Sequence, residues 1–327
     1  MARYLLTGCA GFIASNVARQ LLADGQHVVG VDNLNDAYDV RLKHWRLEQL
    51  TAQERFSYHE ADISDYDALS SVWQAYDGQF DAVINLAARA GVRQSVENPW
   101  VYISTNTTGT LNLLELCRNS GVGKFVLAST SSLYGTHNDM PYSEDANTDK
   151  PISPYAASKK GAEVMAYTYH MLYGIDVTVL RYFTVYGPAG RPDMSIFRFV
   201  QWINEGHPVT VFGDGQQSRD FTYVDDIARG TVAALRPLGY EIINLGSDRP
   251  VVLMDVIRLI EEKLGKQAEL VFKPRHPADV TATWANISKA EELLQWRPQT
   301  THEDGIMNAA QWYLDHREWA KDIKTGT

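Results

Sequence analysis

Thr7-Gly8-Cys9-Ala10-Gly11-Phe12-Ile13-Ala14 follows an apolar run at residues 4–6 and opens a helical pattern over residues 15–24. Glycines at Gly8 and Gly11 let the chain turn tightly and bring backbone N–H groups to a pyrophosphate at a helix N-terminus. Glycine turns between strand and helix are common, so the surrounding spacing decides the reading. The second apolar run, residues 28–31, closes on Asp32, eighteen residues after Ala14. A carboxylate at that place accepts hydrogen bonds from adenosine ribose hydroxyls. It also repels a 2′-phosphate, which favours NAD over NADP. Asp62-Ile63 ends the next apolar segment, where it can bracket the adenine. Leu86-Ala87-Ala88 ends the fourth strand in small side chains that let the sheet edge approach a cofactor.

Further apolar runs at residues 82–86, 125–128 and 177–181 are separated by helical patterns over residues 68–75, 108–119 and 155–173. Strands alternating with helices predict an α/β fold, a Rossmann-type doubly wound parallel sheet. After residue 186 the chain is punctuated by Pro and Gly, as in Gly187-Pro188, Arg191-Pro192 and Gly213-Asp214-Gly215, which suits a smaller ligand-covering portion. A helix over residues 224–235 and a strand over 242–245 are expected to return to the first sheet. The NAD-binding domain is then residues 1–185 plus about 220–248. A discontinuous substrate-binding domain takes about 186–219 plus 249–327.

The net charge of −10, with no Lys/Arg block to offset it, argues against nucleic acid as a partner. Cys9 and Cys117 lack metal-ligand spacing, and the histidines form no His-Glu-x-x-His arrangement, so neither a metal nor a disulfide framework is expected. No apolar run approaches the ~18 residues of a membrane span, and the first residues lack a signal-peptide pattern. Cytoplasmic residence without membrane association is the expectation.

Tyr155 and Lys159 stand four residues apart on a predicted helix and share a face. A neighbouring ammonium, helped by a positive nicotinamide ring, favours phenolate over phenol. Thr130, at the end of the fifth strand and 25 residues before Tyr155, can hydrogen-bond the same substrate hydroxyl. Such a set takes a proton from an alcohol while its carbon delivers hydride to a nicotinamide.

With the glycine loop, Asp32, the hydroxyl-rich Thr130-Ser131-Ser132 and Tyr155-Ala156-Ala157-Ser158-Lys159 together, the chain resembles an extended short-chain dehydrogenase/reductase of the nucleotide-sugar epimerase type. The resemblance runs essentially end to end. It is nearest to the UDP-glucuronate 4-epimerase group through Ala90-Gly91-Val92-Arg93, residues 129–135 and residues 181–194. It implies cofactor contacts from Gly8, Gly11, Phe12, Ile13, Asp32, Asn33, Asn35, Asp62, Ile63, Leu86, Ala87, Ala88, Asn106, Tyr155, Lys159 and Tyr182. It also implies a homodimer through the helices that follow Val101 and Tyr155.

Oxidation at C4 of a UDP-sugar gives a 4-keto intermediate, whose fate depends on the groups around it. Related dehydratases and decarboxylases resemble this pattern but carry Asp or Glu after the Thr/Ser. Here Ser131 and Ser132 occupy those positions, so hydride return to the opposite face, 4-epimerisation, is the simplest outcome. The resemblance implies that Thr130, Ser131, Ser132 and Thr184 surround a carboxylate, with Arg191 nearby and Arg93 among the substrate contacts. Arg219 suits the diphosphate, because a guanidinium matches phosphate oxygens in fork geometry. Val211 and Phe212 can flank the uracil, and Arg275 with Asp279 can close over ribose and diphosphate. Ala14 replaces the third glycine of the loop, Arg275-His276-Pro277-Ala278-Asp279 departs from the more usual Pro-Gly-Asp ending, and Arg89 stands where glutamine is common. UDP-glucuronate is the favoured substrate. A neutral UDP-hexose epimerase, a UDP-glucuronate decarboxylase and a non-catalytic NAD-binding regulator remain as alternatives.

Overall fold

The structure is a computed structural model that describes residues 1–274 and 280–326. β1 (Arg3–Thr7) leads through the glycine turn into α1 (Phe12–Ala23), followed by β2 (His27–Asp32), α2 (Arg41–Thr51), β3 (Phe56–Glu60), α3 (Tyr66–Gln74) and β4 (Ala82–Asn85). The short α4 (Val92–Glu97) and α5 (Trp100–Tyr102) then pass through a π-helical turn, Ile103–Thr108, into α6 (Gly109–Ser120). β5 (Lys124–Thr130), a 3-10 turn at Ser131–Tyr134, α7 (Pro154–Tyr173) and β6 (Asp176–Tyr182) complete this half. Every residue of β4 and β5 is buried, as strands covered on both faces must be.

Helix ends follow local chemistry. Ser153 caps α7 by accepting the Ala156 N–H at 3.2 Å, Pro154 sits at the first helical position, and Gly174 ends the helix at φ 68°. α1 differs: it starts at Gly11 with no capping side chain and no acidic residue in its first turn. Its leading N–H groups stay available to an anion.

The second half contributes β7 (Thr184–Tyr186), α8 (Ser195–Glu205), β8 (Val209–Phe212), β9 (Ser218–Tyr223), α9 (Val224–Ala233) and β10 (Tyr240–Leu245). After these come β11 (Pro250–Val252), α10 (Leu253–Leu264), β12 (Leu270–Lys273), α11 (Ser288–Leu294), α12 (His302–Asp315) and α13 (Arg317–Ala320). β10 pairs with β6 and completes a seven-stranded parallel sheet of order β10-β6-β5-β4-β1-β2-β3. β7, β9 and β11 form one small sheet, and β8 with β12 another. The fold is a Rossmann-type doubly wound sheet. β1 has β2 on one side and β4 on the other, so strand order reverses there and opens a crevice at the carboxyl ends.

Apolar clusters cover both faces of the large sheet, and a third lies among α8, α10 and α12. The structure departs from the expected division at residues 285–296. Ala285, Ile287, Ala290, Leu294 and Trp296 join the cluster of Ile227, Ile243 and Leu245, because α9 and edge strand β10 present an apolar face that needs cover. α2 is shared in the other direction: Leu42 belongs to the third cluster, with Tyr38 and Trp45 packed against it.

Candidate active site

A cleft of about 890 Å³ crosses the carboxyl ends of the strands. At one end the glycine turn lies tight against β4's exit. Gly8 has φ +70°, and a Cβ there would stand 2.8 Å from the Cα and N of Ala87. A Cβ on Gly11 would stand 2.8 Å from the Gly8 carbonyl oxygen. Bare backbone therefore faces the cleft, as a pyrophosphate site requires. Asp32 accepts from the N–H of Ala10 at 3.1 Å and of Leu34 at 2.9 Å, with Lys43 Nζ 3.8 Å away. Asn33 donates to Asp62 at 2.7 Å. Burial pushes the Asp62 carboxyl up, but hydrogen bonds from Ser64 and Asn33 outweigh this and hold it below the ordinary carboxylate range. An uncapped helix start, a glycine turn and a carboxylate at the end of β2 together fit a dinucleotide.

Deeper in the cleft, Tyr155 and Lys159 project from α7 towards the end of β5. Lys159 Nζ donates to the Ala128 carbonyl at 2.9 Å. Burial pushes its ammonium down to about 8, against the opposing charge of Glu163. Burial also raises the Tyr155 phenol, while a hydrogen bond with Thr130 and the charge of Arg191 pull it back. In the protein alone, Thr130 and Arg191 are the groups that pull the phenol down. Thr130 caps the following turn by accepting the Ser132 N–H at 3.1 Å, which brings Ser131 and Ser132 to the cleft wall.

A buried network underlies this pair. Glu163, one turn beyond Lys159, accepts from Ser129 at 2.6 Å and from Arg181 Nε and Nη2 at 3.0 and 2.9 Å. Arg181 reaches the Tyr134 hydroxyl at 3.1 Å, which donates to Asn244 at 2.6 Å. The ends of β5, β6 and β10 are thereby fastened to α7.

Comparisons with known proteins follow this geometry. A family model described as GDP-mannose 4,6 dehydratase matches residues 5–309. A relative from Thermodesulfobacterium geofontis named UDP-glucuronate 4-epimerase is 56% identical over 99% of this chain and 100% of its own length. The chain belongs to this extended short-chain dehydrogenase/reductase family. Within it, the crystal structure of the Bacillus cereus UDP-glucuronic acid 4-epimerase with UDP-glucuronic acid and NAD superimposes with a TM-score of 0.90 at 38% identity, covering 96% of this chain and 99% of that one. The Thermotoga maritima UDP-glucose 4-epimerase with UDP-glucose gives 0.88 at 31% identity, over 96% and 99%.

In this family member the cleft gathers most residues singled out from sequence. Gly8, Gly11, Phe12, Ile13, Asp32, Asn33, Asn35, Asp62, Ile63, Leu86, Ala87, Ala88 and Tyr182 all line it. Thr130, Ser131, Ser132, Thr184, Arg191, Arg93, Phe212 and Arg219 line it too. Arg191 is clamped by Asp193, with Nε and Nη2 contacts of 3.1 and 2.6 Å. The Arg93 guanidinium sits 4.1 Å from the Phe212 ring centroid. Arg219 bonds the carbonyls of Ser218, Val280 and Thr281 at 2.8, 2.8 and 3.2 Å.

Two placements need correction. Val211 is fully buried in the third core and does not line the cleft, because successive strand residues face opposite ways; Thr210 and Phe212 face the cleft instead. Asn106 is 1% exposed and lies behind the wall. From the π-helical turn it accepts the Arg89 N–H at 2.8 Å and donates to the Arg89 carbonyl and Ser158 Oγ at 3.0 and 2.9 Å. Arg275, His276 and Asp279 lie outside the described residues.

Three cations had no role from sequence. Lys43 reaches Asn35 at 3.2 Å, and Arg89 reaches the same oxygen at 3.1 Å, which brings both cations to the loop that follows β2. Arg198 lines the cleft from α8, with its Nε buried and lacking a hydrogen-bond partner among the described residues. A single cation between Phe197 and Phe199 was the signal available for it. Among the described residues no cluster of three or more His, Cys, Asp or Glu is placed to hold a metal, and no helix is long and apolar enough to cross a membrane.

Proposed function

We propose that this protein is an NAD-dependent 4-epimerase that converts UDP-glucuronate to UDP-galacturonate. The hydroxyl trio Thr130, Ser131 and Ser132 beside Tyr155 carries this reading. Of the carboxyl groups lining the cleft, Asp32 and Asp62 sit at the adenosine end, Glu97 is exposed on α4, and Asp193 is held by Arg191. None stands ready as an acid for elimination. The names of the relatives from Thermodesulfobacterium geofontis and Bacillus cereus support the same substrate.

Gly8, Gly11 and Asp32 would hold the dinucleotide, and its nicotinamide would supply a reversible hydride acceptor for sugar C4. Tyr155 takes the proton of the C4 hydroxyl, and Thr130 hydrogen-bonds the same oxygen. Lys159 keeps positive charge beneath the phenol. Arg93, Arg198 and Arg219 face the diphosphate, and Phe212 offers a flat surface to uracil. Thr130, Ser131, Ser132 and Thr184 hold the C5 carboxylate, with Arg191 supplying charge. A 4-keto glucuronate is a β-keto acid that loses CO₂ when its carboxylate turns out of the ring plane, so several donors on one carboxylate retain it. Tyr155 then returns its proton to the oxygen after the ring has presented its other face. Incubation of the purified protein with UDP-glucuronate and UDP-glucose in parallel, with products resolved by NMR, is expected to give UDP-galacturonate from the first and far slower turnover of the second. Mostly UDP-xylose or UDP-4-keto-pentose would overturn the reading.

A homodimer through α7 belongs to this proposal. Val164, Tyr167, Met171 and Leu172 leave an apolar stripe on α7, and Trp100 and Ile103 are exposed nearby in sequence to α6. A second copy covers such a stripe with itself. Light scattering is expected to give twice the chain mass, and Y167E with M171E is expected to give the monomer. Residence in a reducing compartment accords with two buried free thiols, Cys9 and Cys117, both raised by burial.

A further inference from the structure

Arg46 has no part in the reaction as proposed, yet it is 3% exposed and fully engaged. It lies on α2, the helix shared between the two halves. Its Nη1 donates to the Ala10 carbonyl at 3.1 Å and the Tyr38 hydroxyl at 2.8 Å. Its Nε and Nη2 both reach the Ala189 carbonyl, at 3.2 and 2.6 Å, and Nη2 also reaches the Gly190 carbonyl at 3.3 Å. A guanidinium has five N–H donors in a fixed fork, and these contacts use all of them. The guanidinium carbon lies 5.7 Å from the ring centroids of both Phe12 and Tyr38, two residues that line the cleft. No carboxylate pairs with Arg46 among the described residues. A buried charge is costly unless hydrogen-bonded, so its carbonyl partners matter.

Those carbonyls come from two segments far apart in sequence. Ala10 belongs to the turn against which the pyrophosphate rests, and Ala189 and Gly190 immediately precede Arg191. Ala189 has φ 50°, a left-handed conformation that a side chain disfavours. Surroundings that over-determine such a residue hold it there, and two donors on one carbonyl do so here. Arg191 then leaves the loop with its guanidinium 5.8 Å from the same Tyr38 ring, clamped by Asp193.

We infer that Arg46 is a positioning residue that ties the dinucleotide turn to the loop carrying Arg191, so that one buried guanidinium sets both walls of the cleft. The inference deepens the proposed epimerase reading and rests on it for its activity readout. Arg46 does not line the cleft; it acts through Ala10 on one side and Arg191 on the other.

A pH profile separates this role from simple support of the core. Tyr155 is faced by Thr130 of β5, by Tyr102 of α5 with ring centroids 6.1 Å apart, and by the Arg191–Asp193 pair, with Lys159 and Glu163 on its own helix. The positive charge of Arg191 pulls the Tyr155 phenol down. If the loop drifts and that charge recedes, the phenol rises, and the ionised form that takes the proton appears only at higher pH.

The test compares wild type, R46K, R191K and the R46K/R191K double variant at saturating NAD, with kcat/KM for UDP-glucuronate measured against pH and NAD affinity measured by titration. R46K keeps the charge and loses the fork. It is expected to lower kcat/KM about tenfold or more, since small misplacements near reacting groups cost this much. Its acid limb is expected to move to higher pH, and its NAD Kd to weaken about tenfold. The double variant is expected to be little worse than R191K alone, as for residues acting through one another. A folded R46K with the wild-type acid limb and an unchanged NAD Kd overturns the inference, as does full multiplication of losses in the double variant. Should R46K fail to fold, Y38F removes one acceptor while leaving the cation in place. A limb shift in the same direction supports the tie, and an unmoved limb overturns it. A wild type that does not epimerise counts against the proposed function instead, and the tie is then decided by NAD affinity alone.

Discussion

Y155F is expected to lower kcat for UDP-glucuronate epimerisation by about 10²–10⁴-fold, the usual contribution of a positioned proton-transfer group, while NAD still binds. The phenol is hydrogen-bonded to Thr130 and also under the pull of Arg191. Phenylalanine keeps the ring against Tyr102, whose centroid is 6.1 Å away, so packing survives and only the ionisable oxygen is lost. Burial opposes ionisation of that oxygen, and positive charge helps it. Activity should therefore rise with pH on its acid side in the wild type, and the residual activity of Y155F should lose that dependence. The check is a steady-state pH profile paired with an NAD titration of both proteins. Turnover near the wild-type rate would remove Tyr155 from its role.

E163Q is expected to cost about 3–5 kcal/mol of stability, because removing one partner of a buried ion pair strands the other. The Arg181 and Glu163 side chains are only 2% and 3% exposed, and the fork is bidentate. A second consequence reaches the reaction. Lys159 is already pushed down to about 8 by burial, and Glu163 is the charge holding it up. Without that carboxylate the lysine falls further, so more of it is neutral at physiological pH. The sign for stability follows from the depressed value. Above about pH 8 the folded state releases this proton while the unfolded chain keeps it up to about pH 10.4. This group therefore makes stability rise with pH across that window. Urea unfolding of wild type, E163Q and E163Q with R181M measures the effect. The double variant should recover part of the loss, and a single-variant loss below about 1 kcal/mol would contradict the ion-pair account.

Local chemistry was legible where a few neighbouring residues decide it. The glycine turn, Asp32 and the Tyr155–Lys159 spacing each express a constraint that acts over one turn or one strand, so sequence alone placed them at the cleft. Five strands of the sheet, β1, β2, β4, β5 and β6, followed from buried apolar runs, and β10 from the expected return to the first sheet. β3 was placed only by the segment end at Asp62-Ile63, without bounds of its own, because it is an edge strand with only Phe56 buried. α2 escaped because it buries Lys43 and Arg46, residues that read as solvated surface until their partners are known. Val211 and Phe212 were both assigned to uracil although a strand can offer only one of two neighbours to a given face. The packing of residues 285–296 on β10, and the Arg46 tie, rest on contacts between segments remote in sequence, which no local pattern announces.

The central claim is that hydride leaves sugar C4 and returns to it on the other face, with the carboxylate retained. Incubation with UDP-glucuronate carrying deuterium at C4 tests it most directly by NMR and mass spectrometry. UDP-galacturonate that keeps its deuterium at C4 and its full carbon count is the predicted product. Deuterium lost to solvent, or a UDP-pentose as the main product, would contradict the account.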